Sequence, residues 1–255
     1  MARKRLLVVG CGNVARRALP QWLERYDVAA LVRAPDPVLA ARGVRLFAGD
    51  LDQPETLGPL AGAAELIVHA APPPGTGPQD LRTRNLLAAL TRSQNGGAML
   101  PQRVVYISTS GVYGDCGGDY VEESRPVNAQ TDRAGRRVDA EAVLSRWCGE
   151  RGIALVILRV PGIYAADRLP LAQLKRGTPV LAAEDDVYTN HIDADELAAI
   201  LTVTVGLSLG EGVYNASDDG ELKMGEYFDL VADRAGLPRP PRVRRAATAG
   251  SISPV

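Results

Sequence analysis

Cysteine, histidine and aromatic residues are all scarce in this chain of 255 residues. It contains three cysteines and two histidines, and aromatic side chains make up 5% of it. An odd number of cysteines without a C-x-x-C pair argues against a disulfide framework and against the common zinc motifs. We therefore expect reduced thiols and a cytoplasmic location.

Long apolar runs are missing as well. No stretch approaches the length that a membrane-spanning helix needs. After the basic start "MARKR", only the four apolar residues from Leu6 to Val9 precede Gly10, which is too short for the apolar part of a signal peptide. The sequence predicts neither a membrane partner nor a signal peptide.

The chain also lacks an excess of one charge. Its 29 basic and 30 acidic residues leave a net charge of −1, so no overall field attracts nucleic acid. We expect a small-molecule partner and no nucleic-acid partner. A local basic cluster near the proline-rich end is expected to be a solvated or poorly ordered segment. It consists of Arg239, Arg242, Arg244 and Arg245.

What the chain does contain is a repeated alternation of short apolar runs and helical patterns. Most of the runs are apolar on both faces, as in a sheet that helices cover on both sides. The alternation predicts a doubly wound parallel α/β sheet with right-handed crossovers. The predicted strands are Leu6–Val9, Val28–Val32, Val44–Phe47, Glu65–Ala70, Arg103–Ser108 and Ala154–Arg159. The predicted helices lie near 13–26, with a kink or interruption at Pro20, and near 54–61, 79–93 and 131–150.

The rhythm changes after Arg159, where "VPGIYAADRLP" is predicted to be a loop. We expect a main domain over residues 1–165 and a smaller lobe over 166–255, in which "GVYNAS" returns one strand to the main sheet. The helices predicted in this part are Leu171–Arg176, Ala194–Leu207 and Lys223–Ala235.

The stretch "LLVVGCGNVARRAL" places two glycines directly after the first strand and opens a helix. Gly10 permits a tight turn, Gly12 lets the backbone approach a diphosphate, and Ala15 takes the third small position. In this context the pattern predicts a Rossmann-type dinucleotide site, and an idle structural turn is the alternative. The cofactor-binding residues predicted in the turn are Gly10, Cys11, Gly12, Asn13 and Val14.

The residues after the next strands bear on the kind of dinucleotide. Arg33 stands where an NAD site carries an acidic residue for the ribose, and a guanidinium suits a 2′-phosphate. We therefore predict NADP(H), with NAD(H) as the alternative if Arg33 is a plain surface residue and Asp36 reaches the ribose. The other cofactor-binding residues predicted here are Asp50, Leu51, Ala70 and Ala71.

Several motifs together resemble the short-chain dehydrogenase/reductase superfamily in its extended, epimerase/dehydratase-like form. They include the glycine turn, "GDLDQPETL", "STSGVYGD", "LRVPGIY" and "NHIDADELAAIL", and the resemblance covers nearly the whole chain. It implies an oxidoreductase or epimerase acting on a small polar or sugar-like substrate, and often a homodimer formed through a two-helix face. Family members commonly continue beyond the position of Val255, so a truncated C-terminus is expected.

The resemblance also assigns roles to particular residues. Thr109 and Ser110 take the substrate-binding position, and the residues Pro161, Gly162 and Ile163 match the loop that lines the nicotinamide pocket. The tyrosine and lysine that complete the active site in the family are replaced here by Arg133 and Arg137.

The replacement has chemical consequences because arginine stays protonated and cannot shuttle a proton. Arg137 could still hold the nicotinamide ribose, or it could simply pair with Glu141 on a solvated ridge. Tyr164 is then the predicted substitute proton carrier, whereas Tyr113 is expected to pack structurally. A non-catalytic dinucleotide-binding scaffold or redox sensor is the alternative function.

The remaining polar candidates are weaker. His69 is expected to be bonded to backbone at the cofactor edge, and Cys11 to pack as a small residue unless the helix lowers its pKa. His191, Asp193 and Asp195 resemble a ligand cluster, but Asp193 suits a helix N-cap better. The sequence predicts no metal site.

Overall fold

The computed structural model describes residues 2–92, 99–206 and 209–247. These residues form two compact units whose segments interleave along the chain. Unit 1 comprises residues 1–114, 122–160 and 194–216, and unit 2 comprises 115–121, 161–193 and 217–255, each within the described ranges. The division into residues 1–165 and 166–255 stays a prediction.

Eleven strands occur in the described residues. They are β1 (Arg5–Val9), β2 (Asp27–Val32), β3 (Arg45–Ala48), β4 (Leu66–His69), β5 (Arg103–Thr109), β6 (Ala154–Val160), β7 (Gly162–Tyr164), β8 (Val180–Leu181), β9 (His191–Asp193), β10 (Gly212–Asn215) and β11 (Arg242–Val243).

The described helices follow the predicted pattern with three differences. The segment Pro54–Leu60 is a 3-10 helix, and the short helix Pro37–Ala41 was not predicted. The helix Asn13–Arg25 is not interrupted at Pro20, where a kink or interruption was predicted. Ser93 and Leu207, the last residues of two predicted helices, lie outside the described residues. The α-helices are α1 (Asn13–Arg25), α2 (Pro37–Ala41), α3 (Leu81–Thr91), α4 (Asp132–Gly149), α5 (Leu171–Lys175), α6 (Ala194–Val205) and α7 (Met224–Ala235).

Unit 1 is built on a seven-stranded sheet of the described residues. Its strand order is β10-β6-β5-β4-β1-β2-β3, and every neighbouring pair is parallel. The order reverses between β1 and β4, which is the switch point of a doubly wound fold. The predicted α/β Rossmann-type fold is confirmed.

Successive side chains of a strand point to opposite faces of the sheet, and in β1 the side chains on both faces are buried. On one face, Leu7 and Val9 of β1 pack in a cluster with Leu86 of α3 and Leu144 of α4. Side chains in between point to the opposite face, and Leu6 and Val8 are fully buried there as well. Because neither face meets water, the strands read as continuous apolar runs.

Unit 2 holds two small parallel strand pairs, β7 with β9 and β8 with β11. The strand β7 lies within "VPGIYAADRLP", so the prediction of a loop there was wrong for Gly162–Tyr164. The apolar cluster of unit 2 contains Leu174 of α5 and Val231 and Ala232 of α7.

The basic cluster in unit 2 is exposed, in line with the expected solvated segment, and it forms ion pairs with neighbouring carboxylates. Arg239 pairs with Asp233 at 2.7 Å, and Arg242 pairs with Asp229 at 2.6 Å. Arg244 lies 3.4 Å from Glu184, and the backbone N–H of Arg245 donates to Asp185 at 2.9 Å. Neighbouring carboxylates thus balance the arginines.

No helix in the described part of the chain is long and apolar enough to span a bilayer.

Candidate dinucleotide site and active-site region

The glycine turn lies at the switch point of the sheet, between the carboxyl ends of β1 and β4. Gly10 has a φ of +91°, and a Cβ on it would lie 2.4 Å from the backbone nitrogen of Ala71. The backbone N–H of Ala70 donates to the carbonyl of Val9 at 2.8 Å, which fixes this close approach. Only glycine fits at position 10, and the predicted residues Ala70 and Ala71 form the opposite wall of the turn.

Gly12 differs from Gly10 because it faces open space. A Cβ built on Gly12 has no heavy atom within 4 Å, and its extended φ of −87° is open to any residue. Gly12 is the N-cap of α1, with no capping side chain and no acidic residue in the first turn. The N-terminal amides of α1 therefore present partial positive charge at a space that suits a diphosphate.

Cys11 in the same turn is half-buried. Burial raises the pKa of its thiol to about 11, and the nearby guanidinium of Arg16 only partly offsets that effect. The helix therefore does not lower this pKa, and the thiol stays protonated near neutral pH.

The two residues proposed to read the ribose lie in different environments. Asp36 caps α2 by accepting a hydrogen bond from the backbone N–H of Leu39 at 3.0 Å, and its other oxygen pairs with Arg16. These two contacts lower the pKa of Asp36. Arg33 is exposed and forms no hydrogen bond or ion pair with any described residue. The guanidinium is thus available to a ligand, whereas both oxygens of Asp36 are engaged.

The end of β3 is held by local hydrogen bonds. The backbone N–H of Asp50 donates to the hydroxyl of Thr56 at 2.9 Å. Leu51 is buried, and its carbonyl accepts from the side chain of Asn85 at 2.7 Å. Asp50 and Leu51 therefore form a fixed edge at the carboxyl end of the sheet.

Two arginines hold the proline-rich loop that follows β4. Arg82 donates to the carbonyls of Pro72 and Pro73 at 3.1 and 3.3 Å and forms a two-point ion pair with Asp52. The guanidinium of Arg82 holds the pKa of Asp52 below its ordinary value. Sequence reasoning missed this link between the loops after β3 and β4.

Arg136 of α4 is the second of these arginines. It is buried and donates to the carbonyl of Gly77 at 2.8 Å and to that of Gly75 at 3.4 Å. The loop is thus tied to two helices of unit 1.

The carboxyl end of β5 carries the predicted substrate-binding hydroxyls. Thr109 is half-exposed, and its hydroxyl accepts from the backbone N–H of Gly111 at 3.2 Å. Ser110, also half-exposed, begins a short 3-10 turn. Tyr113 in that turn is buried, and its hydroxyl donates to Asn215 at 2.8 Å, which fits the packing role predicted for it.

A buried ion pair lies below these hydroxyls. Arg159 of β6 donates to Glu141 of α4 at 2.8 Å, and the hydroxyl of Ser108 donates to the same carboxylate at 2.5 Å. All three residues are less than 10% exposed. Sequence reasoning assigned Glu141 to a solvated ridge, and this pair corrects that assignment.

Arg137 is buried and does not pair with Glu141. The alternative that places this pair on a solvated ridge of the helix was therefore wrong. It donates to the hydroxyl of Tyr106 at 3.0 Å and to the carbonyl of Ile107 at 2.8 Å. Arg133, one helical turn earlier, is exposed and forms no hydrogen bond or ion pair with a described residue. Arg133 and Arg137 thus have different surroundings.

His69 is fully buried, and its partner is a side chain rather than the expected backbone group. Its Nε2 lies 2.8 Å from the hydroxyl of Thr83, and its Nδ1 has no partner in the described residues. Burial, with a smaller effect of the Arg137 charge, lowers its pKa to about 3. Burial raises the pKa of the neighbouring Tyr106 to about 12. Neither ring can exchange a proton readily near pH 7.

This buried histidine predicts a pH-dependent stability. Its pKa rises from about 3 in the folded chain to its ordinary 6.5 on unfolding, so stability is lost as pH falls below 6.5. Between pH 7.5 and 5.0 the expected loss from His69 is roughly 2 kcal/mol. The free energy of unfolding can be measured in urea at pH 7.5 and at pH 5.0. Its decrease between these two pH values should be smaller in His69→Gln than in the unsubstituted protein, by roughly 2 kcal/mol. Equal losses would contradict the neutral buried state.

The other predicted site residues lie in unit 2. Gly162, Ile163 and Tyr164 form β7, with Pro161 directly before it. The ring of Tyr164 meets that of His191 edge-on at 6.2 Å. His191 also stacks on Tyr227 at 4.1 Å, and burial lowers its pKa.

The residues described include no group of three or more His, Cys, Asp or Glu side chains placed to hold a metal ion. Asp195, one member of the sequence cluster near His191, forms a two-point ion pair with Arg17 of α1 at 2.8 Å. That contact joins α6 to α1 within unit 1.

Comparison with protein-family models places these features in a known group. The model of the NAD dependent epimerase/dehydratase family matches residues 6–178, which is more than half of the chain. The chain belongs to the NAD dependent epimerase/dehydratase family. This confirms the resemblance to the epimerase/dehydratase form that the motifs indicated. No curated protein sequence matches the chain.

Solved structures of epimerase/dehydratase proteins share the fold. A candidate NAD-dependent epimerase/dehydratase from Methylobacillus flagellatus is 25% identical, with a TM-score of 0.73 over 95% of this chain and 85% of that one. The UDP-glucose 4-epimerase of Thermus thermophilus, in complex with NAD, is 23% identical, with a TM-score of 0.73 over 93% and 87%. The UDP-N-acetylglucosamine 4-epimerase of Bacillus cereus is 15% identical, with a TM-score of 0.75 over 94% and 85%. At such identities the last two show the fold alone.

Proposed function

We propose that unit 1 binds a nicotinamide dinucleotide, preferentially NADP(H), at the glycine turn. One observation carries the proposal: Gly12 presents open space in front of an uncapped helix N-terminus at the switch point of the sheet. The NAD in the related Thermus thermophilus enzyme supports the same class of ligand. The proposed binding residues of unit 1 are those of the turn together with Arg33, Asp50, Leu51, Ala70 and Ala71. Pro161, Gly162 and Ile163 stay predictions of the family resemblance.

The deciding experiment is a fluorescence titration of the purified protein with NADPH and with NADH. We expect both to bind and NADPH to bind more tightly. If neither nucleotide binds, the proposal is wrong.

The preference for NADP(H) depends on Arg33. The substitution Arg33→Asp reverses the charge and should weaken NADPH binding by roughly 10–100-fold. The variant loses charge-assisted hydrogen bonds to the 2′-phosphate and adds a carboxylate that repels it. NADH binding should be unchanged or improved. Both dissociation constants can be measured by the same titration.

Arg42→Asp is the matched control for this variant. Arg42 is another exposed arginine close to α2, so its reversal changes the net charge equally. It should leave the ratio of the two dissociation constants as it is. An equal loss of both nucleotides in Arg33→Asp would show that Arg33 does not read the phosphate.

When bound, the nicotinamide would supply hydride transfer to or from the substrate, as an oxidoreductase or epimerase of this family requires. We propose that Thr109 and Ser110 bind a small polar or sugar-like substrate at the carboxyl end of β5. Arg137 can hold hydroxyl or anionic groups there but cannot exchange a proton. Tyr164 stays the predicted proton carrier of a non-standard relay, on the family resemblance alone.

A second candidate is a dinucleotide-binding scaffold or redox sensor without turnover. The observation that favours it is the absence of a group suited to proton transfer beside Arg137, where His69 and Tyr106 have pKa values of about 3 and about 12. Consumption of NADPH with any carbonyl compound would exclude this candidate. A cytoplasmic location and a homodimer stay predictions.

A further inference from the structure

The guanidinium of Arg137 has unused hydrogen-bonding capacity in a buried position. The residue is 8% exposed. Only its Nη1 has acceptors, the Tyr106 hydroxyl at 3.0 Å and the Ile107 carbonyl at 2.8 Å. Nε and Nη2 donate to no described group, and neither is among the fully buried unpaired atoms. The N–H groups of these two nitrogens are therefore left for a ligand that reaches them.

This guanidinium also lacks a carboxylate partner among the described residues. Glu141, four residues along α4, is taken up by Arg159 and Ser108. Asp80 accepts two hydrogen bonds from Thr83, at 3.1 and 2.9 Å. Asp139 pairs with Arg84 and with the backbone of Asp80. The guanidinium of Arg137 therefore meets only neutral acceptors, and an anionic ligand at its open nitrogens would form stronger, charge-assisted hydrogen bonds.

Two other buried arginines of unit 1 show why Arg137 is different. Arg103 donates to the carbonyls of Thr204 and Leu209, and Arg136 donates to two carbonyls of the loop after β4. Each of these two has a structural task that joins distant segments. Among the described residues, Arg137 hydrogen-bonds only to Tyr106 and Ile107 of β5. The unpaired Nε atoms of Arg103 and Arg136 are fully buried, whereas the unpaired nitrogens of Arg137 are not, so a ligand can reach them.

The position of Arg137 indicates what kind of ligand it meets. Its contact with the Ile107 carbonyl places it at the carboxyl end of β5, two residues before Thr109, and ligands of open α/β sheets bind at this edge. Arg133 lies on the same ridge of α4, one turn away, with its charge exposed. Guanidinium groups bind carboxylate and phosphate oxygens with two parallel hydrogen bonds.

We propose that Arg137, assisted by Arg133, binds a carboxylate or phosphate group of the substrate, so that the substrate is an acid or a phosphoester rather than a neutral sugar. The inference deepens the proposed function, since the oxyanion belongs to the molecule that faces the dinucleotide. The diphosphate of the dinucleotide is the other source of such oxygens, and the experiment separates the two.

The test is a titration with malonate and with inorganic phosphate, each in the presence and absence of NADPH. Malonamide is the neutral counterpart of malonate. The readout is the NMR signal of the histidine rings, because the chain has two histidines and His69 senses the charge of Arg137. We expect malonate or phosphate to shift the His69 signals saturably, and malonamide to leave them unchanged.

Arg137→Met should weaken this binding by roughly 10–100-fold, because a charge-assisted hydrogen bond is lost. Arg137→Lys keeps the charge and should restore part of the affinity, which also tests the site if the Met variant folds poorly. Arg146→Met removes an exposed charge from the last turn of the same helix and should have no effect. The affinity for NADPH should change less than threefold in Arg137→Met.

The titrations distinguish a failure of the oxyanion site from a failure of the proposed dinucleotide binding. If malonate and phosphate both fail to move the His69 signals while NADPH binds, the oxyanion site is refuted and the proposed function stands. If malonate binds but neither nucleotide does, the proposed function fails and the oxyanion site stands. If Arg137→Met loses NADPH as strongly as malonate, Arg137 serves the dinucleotide and the inference is overturned.

Discussion

Gly10→Ala is expected to lower the free energy of unfolding by roughly 2–6 kcal/mol and to remove dinucleotide binding. The backbone φ of +91° is strained for alanine, and the new methyl carbon would lie 2.4 Å from the backbone nitrogen of Ala71 and 2.6 Å from its Cα. Backbone atoms cannot move aside as a flexible side chain would. The β1–α1 turn and the loop after β4 would have to separate, which alters the site at the switch point.

Gly12→Ala provides the matched comparison two residues away. The added methyl group meets no heavy atom within 4 Å, and the backbone is already extended. The loss of stability should stay below about 1 kcal/mol, while NADPH affinity should fall by roughly 10–100-fold because the methyl enters the space proposed for the diphosphate. Urea unfolding and fluorescence titration separate these effects. If Gly12→Ala binds NADPH normally, the dinucleotide does not lie against this turn.

The second large effect is expected from the buried pair of Glu141 and Arg159. Arg159→Met should destabilise the protein by roughly 3–5 kcal/mol, because it leaves a buried carboxylate without its cation. The side chains of both residues are less than 10% exposed, and only the hydroxyl of Ser108 would remain as a close partner of the carboxylate. Urea unfolding at pH 7.5 measures the change.

Two controls test the cause. The double variant Arg159→Met with Glu141→Leu should recover most of the lost stability, since apolar replacements of a buried pair are often neutral. Arg239→Met breaks an exposed ion pair with Asp233 and should leave the midpoint of urea unfolding nearly unchanged, because water screens surface ion pairs. A double variant as unstable as the single one would mean that packing, rather than the unpaired charge, causes the loss.

The strands and the glycine turn were predictable because their signals are local. Each strand of the main sheet is a short apolar run beside a turn, and a strand that is buried on both faces needs nothing more distant to be recognised. Gly10 and Gly12 are likewise recognised from their spacing after β1. The predictions were less accurate for the helix ends and for the short strand β7. Gly162–Tyr164 is extended because it pairs with β9, and its local composition does not indicate a strand.

The alternative that pairs Arg137 with Glu141 was wrong for a different reason. Their spacing of four residues suggested an ion pair on a solvated ridge. Steps of three residues lead from this pair to Ala134 and Leu144, which are both buried, and the resulting pattern follows the stripe of α4 that packs on the sheet. The sequence therefore contained a signal for burial, but no signal for the partners.

By itself the sequence determined the order of the main strands and helices and the glycine turn, because each depends on residue types close together in the chain. Only the tertiary structure decided that Glu141 pairs with Arg159 and that Arg137 stays without a carboxylate. The reason is the parallel register of β5 and β6, which sets Ser108 opposite Arg159 across fifty-one residues of chain. Both residues meet Glu141 of α4, which lies eighteen residues before Arg159 along the chain. These contacts depend on how α4 packs on the sheet, and no short stretch of sequence encodes them.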